Sequence, residues 1–320
     1  MKKRFLIILF VCFSIYTKAQ HGLRQIIEFG ENPGNLNMYY FKPNEKKNKK
    51  PLVLVLHGCS QDAETAAQQT GWNKLAKLHD FYVVYPEQKR ANNLSKCFNW
   101  FFRNNYLKDK GEVASIKEMI LYMQAKHNID SNRVFITGLS AGASMSVSVM
   151  ACYPELINAG AIVAGGPYHA ASNALNALKA MSGPNNNSAK HWGELVKSQN
   201  PEYKGKYPKM IIVHGIQDDV VNIENANQLI KQWSYLLNTD SVPSKIDSTY
   251  NKHKAIQKQL FYNTDSILSM TYYRIDGIRH SLCIKPGDAD EEGGELLPFT
   301  KDIGWHSTYQ IALDFGLIKL

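Results

Sequence analysis

The sequence predicts an α/β architecture, a mainly parallel central sheet with helices on both faces. Three observations carry that expectation. Short β-branched and aromatic runs alternate with helical stretches along most of the chain, the pattern of parallel strands joined by crossover helices. Leu52 to Leu56 is an unbroken apolar run, as a strand buried on both faces requires. Val134-Phe135-Ile136 leads at once into Gly138-Leu139-Ser140-Ala141-Gly142, and a small-residue helical pattern continues through Met145, Val149 and Met150. Strand, G-x-S-x-G, helix is the context of a sharp turn that lifts a serine hydroxyl clear of a sheet edge. Glycines flank the serine because side chains there would crowd the turn.

Taken in order, the chain opens like a secretory signal. Lys2, Lys3 and Arg4 precede the apolar stretch Phe5 to Tyr16, and Thr17-Lys18-Ala19 places cleavage after Ala19. A lipoprotein site at Cys12 fits less well, because Leu9-Phe10-Val11 is bulky where small residues are needed. The expectation is therefore a signal peptide over 1–19, one catalytic domain over 20–320, and a secreted or periplasmic location. Ile26 to Phe29 and Met38 to Phe41, split by Asn32-Pro33-Gly34-Asn35, read as an edge hairpin. After Leu52 to Leu56, His57-Gly58-Cys59-Ser60 turns out of the sheet. Ala63 to His79 has helical spacing, and Phe81 to Tyr85 is a strand stopped by Pro86. Glu87 to Tyr106 is polar and aromatic without a clean period. Gly111 to His127 is helical and leads into the serine turn. Ala161 to Ala164 and Met210 to Val213 are strands, Trp192 to Val196 a short helix after a polar loop, and Ile223 to Leu237 a helix. Gln259 to Phe261 and Met270 to Ile275 are late strands, and His306 to Phe315 is the closing helix.

Bulk composition narrows the function classes. The chain has 320 residues, 44% hydrophobic and 20% charged, enough for a large core. The signal stretch holds four cations and no acid, so the formal charge of +9 falls to +5 without it. The clearest basic cluster, Lys46, Lys47, Lys49 and Lys50, reads as a solvated loop, and no nucleic-acid-binding module is present. No later segment is long and apolar enough to span a membrane. Cys59, Cys97, Cys152 and Cys283 remain after the signal, an even number that permits disulfides in an exported chain. No C-x-x-C spacing points to zinc, and neither metal nor cofactor is expected.

In open α/β sheets the chemistry sits on loops at the carboxyl ends of the strands. A serine hydroxyl there needs a base, and the base an orienting carboxylate. With the serine turn, this arrangement is an α/β-hydrolase fold, in which the acid and then the histidine follow the serine in sequence. Val213-His214-Gly215-Ile216-Gln217-Asp218-Asp219 offers the acid: Asp218 is the choice and Asp219 the alternative. His280, after the strand Met270 to Ile275 and the turn Asp276-Gly277-Ile278-Arg279, is the base; His253 and His306 fit less well. The oxyanion needs two amide donors, assigned to Ala141, next to the serine, and Cys59, on the loop after Leu56. His57 precedes the serine and is assigned to holding that loop.

At this point a resemblance is evident. FGENPGNLNMYYF, LVLVLHGCSQDAE, CFNWF, GLSAGASM, YPELINAGAIVAGGPY, HGIQDDVV and IDGIRH, with DIGWHSTYQIALDFGL near the end, resemble polyhydroxybutyrate depolymerase-family esterases, relatives of feruloyl and acetylxylan esterases. The likeness covers nearly all of the mature chain. It implies a metal-free serine esterase with Ser140, Asp218 and His280 as triad and the Cys59 and Ala141 amides as oxyanion donors. The chain departs from the pattern at Ala143, at Ser281-Leu282-Cys283 and at Glu291-Glu292-Gly293-Gly294, and it lacks a Cys near Ala170. The family's disulfide set therefore does not carry over whole. Cys59 with Cys97 is the best pair, both being on loops at the catalytic edge.

Phe98, Trp100, Tyr168 and Trp305 are expected at the mouth of the site, where aromatics would grip an apolar polyester or a phenolic acyl group, with core packing as the alternative for each. The expected substrate is an ester, of a polyester or of acylated polysaccharide fragments. The absence of a recognisable polymer-binding module favours soluble oligomers or plant-wall fragments. A serine peptidase of this fold and an inert polymer-binding homologue are the rival readings.

Overall fold

The computed structural model describes residues 22–43, 48–183 and 186–318. The signal expectation, with Cys12, and Lys46 and Lys47 of the basic cluster lie outside the described residues. In chain order the first elements are β1 (Leu23–Ile26), β2 (Asn37–Phe41), β3 (Lys50–Leu56), α1 (Ala63–Thr70), α2 (Trp72–His79) and β4 (Tyr82–Glu87). Then come α3 (Arg103–Tyr106), α4 (Gly111–Lys126), β5 (Ile129–Leu139), α5 (Ala141–Cys152), β6 (Ala159–Val163), α6 (Ala174–Ser182) and α7 (Ala189–Lys197). The last part holds β7 (Lys209–Gly215), α8 (Glu224–Leu237), β8 (Lys245–Asp247), β9 (Ile256–Tyr262), β10 (Leu268–Ile275), β11 (Leu282–Ile284), β12 (Thr300–Asp302) and α9 (Ser307–Asp314).

Among the described residues ten strands form one sheet in the order β1-β2-β4-β3-β5-β6-β7-β10-β9-β8. The six central strands, β4 to β10 in that order, run parallel, and antiparallel pairs close both edges. This is the α/β-hydrolase architecture that the alternation predicted. The pleat divides the apolar run of β3 between two cores. Leu52, Leu54 and Leu56 face the layer of α3 to α8, and Val53 and Val55 face α1, α2 and α9. A strand with helices on both faces has no polar side, which is why all seven residues of β3 are buried.

Several expectations need correction. The helix expected over Ala63 to His79 is two helices, α1 and α2, hinged at Gly71 in a left-handed conformation (φ 72°). Pro86 does not stop β4. Beyond Val84 the strand has no β3 partner and pairs with β2 alone, so a missing N–H is tolerated. Lys50 is not a solvated loop residue: it opens β3, is buried, and its ammonium bonds Asp80 at 2.6 Å. The polar loop before Trp192 contains α6, capped by the Asn173 side chain on Asn176 N–H. The stretch after His280 carries a small parallel sheet of β11 and β12. No helix among the described residues is long and apolar enough to cross a membrane.

Candidate active site

Ser140 joins β5 to α5 with φ 58° and ψ −120°, a conformation that a non-glycine residue adopts only when its surroundings impose it. Close packing imposes it here. A Cβ on Gly138 would strike the Gly142 carbonyl, and one on Gly142 would strike the carbonyls of Leu56 and His57. Ser140 N–H donates to Val163 O on the neighbouring strand at 2.9 Å. The side chain thus stands at the carboxyl edge of the sheet, ahead of the N-terminus of α5. The first-turn amides of that helix, Ala141 first, have no partner within the helix.

The acid and base expected from the sequence lie beyond the ends of β7 and β10, on the far side of β6 from the serine strand. Asp218 follows β7 and His280 follows β10, and these strands are neighbours in the sheet. His280 Nδ1 lies 2.8 Å from Asp218 Oδ2. Asp218 Oδ1 accepts the amides of Val220 and Val221 at 3.0 and 2.8 Å. Burial pushes the Asp218 pKa up, but the His280 contact and the Val221 amide outweigh it, and the carboxyl is held below its ordinary value. Asp219 turns to solvent and pairs with the Arg279 guanidinium, so the two adjacent acids have separate partners. Sequence reasoning overlooked His214. It is buried, its Nε2 lies 2.8 Å from Val221 O and 3.5 Å from Asp218 Oδ2, and burial keeps its pKa low. Among the described residues Ser140 Oγ makes no hydrogen bond to His280; contacts between a nucleophile and its base are often long in free enzymes.

Cys59 lies on the loop after β3 and is disulfide-bonded to Cys97, the expected pair. Cys152 and Cys283 are buried free thiols. The amides flanking Cys59 are engaged: Gly58 N–H donates to Gln61 Oε1 at 2.7 Å and Ser60 N–H to Ser95 O at 2.6 Å. Cys59, Ser140 and Ala141 line one cavity of about 290 Å³, whose walls include the apolar Trp100, Phe101, Val221 and the α6 residues Ala174, Ala177, Leu178 and Met181, and the polar Asn93, Ser95, Ser144 and Asn225.

Of the four aromatics expected at the mouth, Trp100 lines this cavity and the other three do not. Phe98 is fully buried against the His57 ring, Tyr168 is buried edge-on to Tyr106, and Trp305 packs on Tyr273 in the core on the other side of the sheet. Large rings adjoining a sheet bury more area by turning inward, and neighbouring loops leave these three no other course. Phe101 and the apolar side of α6 take their place. The spacing Ala174, Ala177, Met181 was the available signal for that helix, obscured by Asn173, Asn176 and Lys179 between them.

Fold and serine turn together define an α/β-hydrolase. Comparison with known proteins places the chain further: it belongs to the esterase family described as Esterase PHB depolymerase, whose profile matches residues 36–251. It is 34% identical over 308 residues to poly(3-hydroxyalkanoate) depolymerase C of Paucimonas lemoignei, covering 96% of this chain and 73% of that protein. It is 30% identical over 238 residues to feruloyl esterase B of Talaromyces stipitatus, covering 72% of this chain and 66% of that one. Among solved structures it is similar to an acetyl xylan esterase from Aspergillus awamori, with a TM-score of 0.77 over 92% of this chain and 99% of that one. At 22% identity that likeness speaks for the fold. The chain is a carboxylic ester hydrolase.

Proposed function

We propose that this esterase cleaves short-chain hydroxyalkanoate polyesters and their oligomers through an acyl-enzyme on Ser140, outside the cytoplasm, with one catalytic domain over residues 20–320. The observation that carries the reading is the constrained Ser140 turn opening into the same largely apolar cavity as Cys59 and Ala141, with Val221, whose N–H bonds Asp218, in its wall. In this reading Ser140 Oγ attacks the ester carbonyl and passes its proton to His280, which Asp218 orients and stabilises as a cation. The Cys59 and Ala141 amides hold the tetrahedral oxyanion. His280 returns the proton to the leaving alkoxide. Water, deprotonated by His280, then releases the acid and restores the serine. A disulfide beside the site supports an oxidising compartment.

The rim favours a water-poor substrate. Leu178 in the cavity wall is 63% exposed, and Leu94, Phe102, Leu175, Val220 and Phe299 are exposed beside lining residues or beside His280. An apolar wall with an exposed leucine in it suits a polyester chain better than a sugar-bound acetyl group. The test is hydrolysis of hydroxybutyrate oligomers, a polyhydroxybutyrate film, methyl ferulate and acetylated xylan by the intact protein and by Ser140→Ala. Loss of all turnover in Ser140→Ala with hydroxybutyrate esters preferred is the expected result. Preference for ferulate or acetylxylan moves the substrate to plant-wall esters, and turnover surviving in Ser140→Ala ends the acyl-serine reading.

A further inference from the structure

We infer that Ser144 and Asn225 form a hydroxyl-reading site in the wall of the Ser140 cavity. It takes the free 3-hydroxyl of a hydroxyacyl ester, so that hydroxyalkanoate chains are cut from their hydroxyl end. The inference rests on the serine-esterase reading above and deepens it. Both residues line the cavity with Ser140, and they are only 7% and 2% exposed. Ser144 lies one turn along α5 from the nucleophile, its N–H donating to Ser140 O at 3.0 Å. Ser146 and Ser148 on the same helix give their hydroxyl protons to the carbonyls four residues back, a common course for a helical serine. Ser144 does not. Its Oγ accepts Gly166 N–H at 3.3 Å, and among the described residues its hydroxyl proton has no acceptor.

The direction of the Asn225 amide is fixed by its partners. Nδ2 donates to Ala180 O, Met181 O and Asn222 O at 3.1, 3.2 and 3.0 Å, three carbonyls that only the NH₂ end serves. Oδ1 therefore points away from them, beside Gly166, where a Cβ on the glycine would lie 2.8 Å from it. Among the described residues no donor reaches this oxygen. A hydroxyl with a proton to give and an amide oxygen with room to accept thus meet at Gly166. The other polar wall residues differ. Asn93 is committed to Asn99 Oδ1 and to Ser95 N–H, and Ser95 is exposed. An alcohol both donates and accepts, so a free hydroxyl satisfies Ser144 and Asn225 together. Residues one helical turn apart stand about 5–6 Å from each other at Cβ, within reach of a hydroxyl two carbons beyond a carbonyl held at Ser140. Inside a polyester the same oxygen is esterified. It then accepts from Ser144 and has no proton for Asn225, which leaves a buried acceptor unpaired. Only the hydroxyl-terminal unit satisfies both. Hydrolysis of its ester frees one hydroxy acid and leaves a shortened chain that again ends in a hydroxyl.

The experiment compares the intact disulfide-bonded protein with Ser144→Ala and Ser140→Ala on ethyl 3-hydroxybutyrate, ethyl 3-methoxybutyrate and ethyl butyrate. It also follows monomer release from a hydroxybutyrate trimer whose terminal hydroxyl is free or acetylated. In the wild-type protein kcat/KM for the hydroxy ester should exceed that for the other two at least about tenfold, and acetylation should slow monomer release by a similar factor. In Ser144→Ala the ratio of hydroxybutyrate to butyrate kcat/KM should fall about fivefold or more. Equal wild-type kcat/KM on the hydroxy ester and butyrate overturns the inference, and so does the same proportional loss on both esters in Ser144→Ala. A methoxy ester cleaved as fast as the hydroxy one also overturns it, because an ether has no proton for Asn225. Should Ser144→Ala not fold, the wild-type ratios and the trimer pair decide, and equal monomer release from the two trimers overturns the inference. Turnover surviving in Ser140→Ala defeats the acyl-serine reading itself. Its loss beside equal wild-type rates on hydroxybutyrate and butyrate defeats only the hydroxyl site.

Discussion

Asp218 and Asp219 show how much one residue's direction decides. They are adjacent and chemically identical, yet one is buried against His280 and two backbone amides while the other lies in solvent with Arg279. Asp218→Asn should lower kcat by about 10²- to 10⁴-fold, because the amide cannot stabilise a charged His280. Asp219→Asn removes a solvent-exposed ion pair and should change kcat by less than about twofold. Steady-state kinetics of the two variants on one soluble ester checks both statements. Comparable losses from the two would mean that the 2.8 Å contact to His280 is not the one that matters.

Helix α6 sets the size of the cavity. Its first turn is fixed by the Asn173 cap, and Ala174, Ala177 and Met181 follow at helical spacing on the lining side. Small residues there leave room for an acyl group. Ala177→Leu should fill part of the roughly 290 Å³ and lower kcat/KM for p-nitrophenyl butyrate at least about tenfold relative to acetate. An unchanged butyrate-to-acetate ratio would show that the acyl group goes elsewhere. Exposed apolar residues on this helix and on the loop between β4 and α3 are open to a separate test. Leu94 and Leu175 are exposed without lining the cavity. Replacing both by Ser should slow product release from a polyester film while leaving p-nitrophenyl acetate turnover within about twofold. Equal rates on film would remove the rim from the account.

For the whole molecule, buried titratable groups set the response to acid. His306 is buried, donates to Thr70 O at 2.9 Å, and burial lowers its pKa to about 4. A histidine kept neutral in the fold binds fewer protons than the unfolded chain does. Its contribution is complete above about pH 6.5 and is lost as the pH falls toward 4, about 3 kcal/mol over the window. Glu112 works in the opposite direction. Burial raises its pKa to about 7, so the fold favours its protonated form and gains stability as the pH falls from 7 toward 4.5. A difference measurement separates the two. The stability gap between the wild-type protein and His306→Gln, from urea unfolding, should narrow from pH 7.5 to pH 5. A constant gap would mean that His306 titrates normally.

The sequence by itself determined the alternation of strands and helices and the serine turn, and it offered Cys59 with Cys97 as the best of the possible pairs. These are set by local periodicity, by glycines flanking Ser140, and by strand ends that all meet at one edge. Tertiary structure alone decided which way side chains face. The hinge at Gly71 was concealed by apolar spacing that continues across it, and α6 by the polar residues on its outer side. Phe98, Tyr168 and Trp305 went inward because packing against neighbours distant in sequence removes more of their surface from water than a rim position would. The same long-range packing separated Asp218 from Asp219 and brought Gln88 to His57 across 31 positions. None of these contacts has a local signal, because spacing along a chain fixes its period and not its partner.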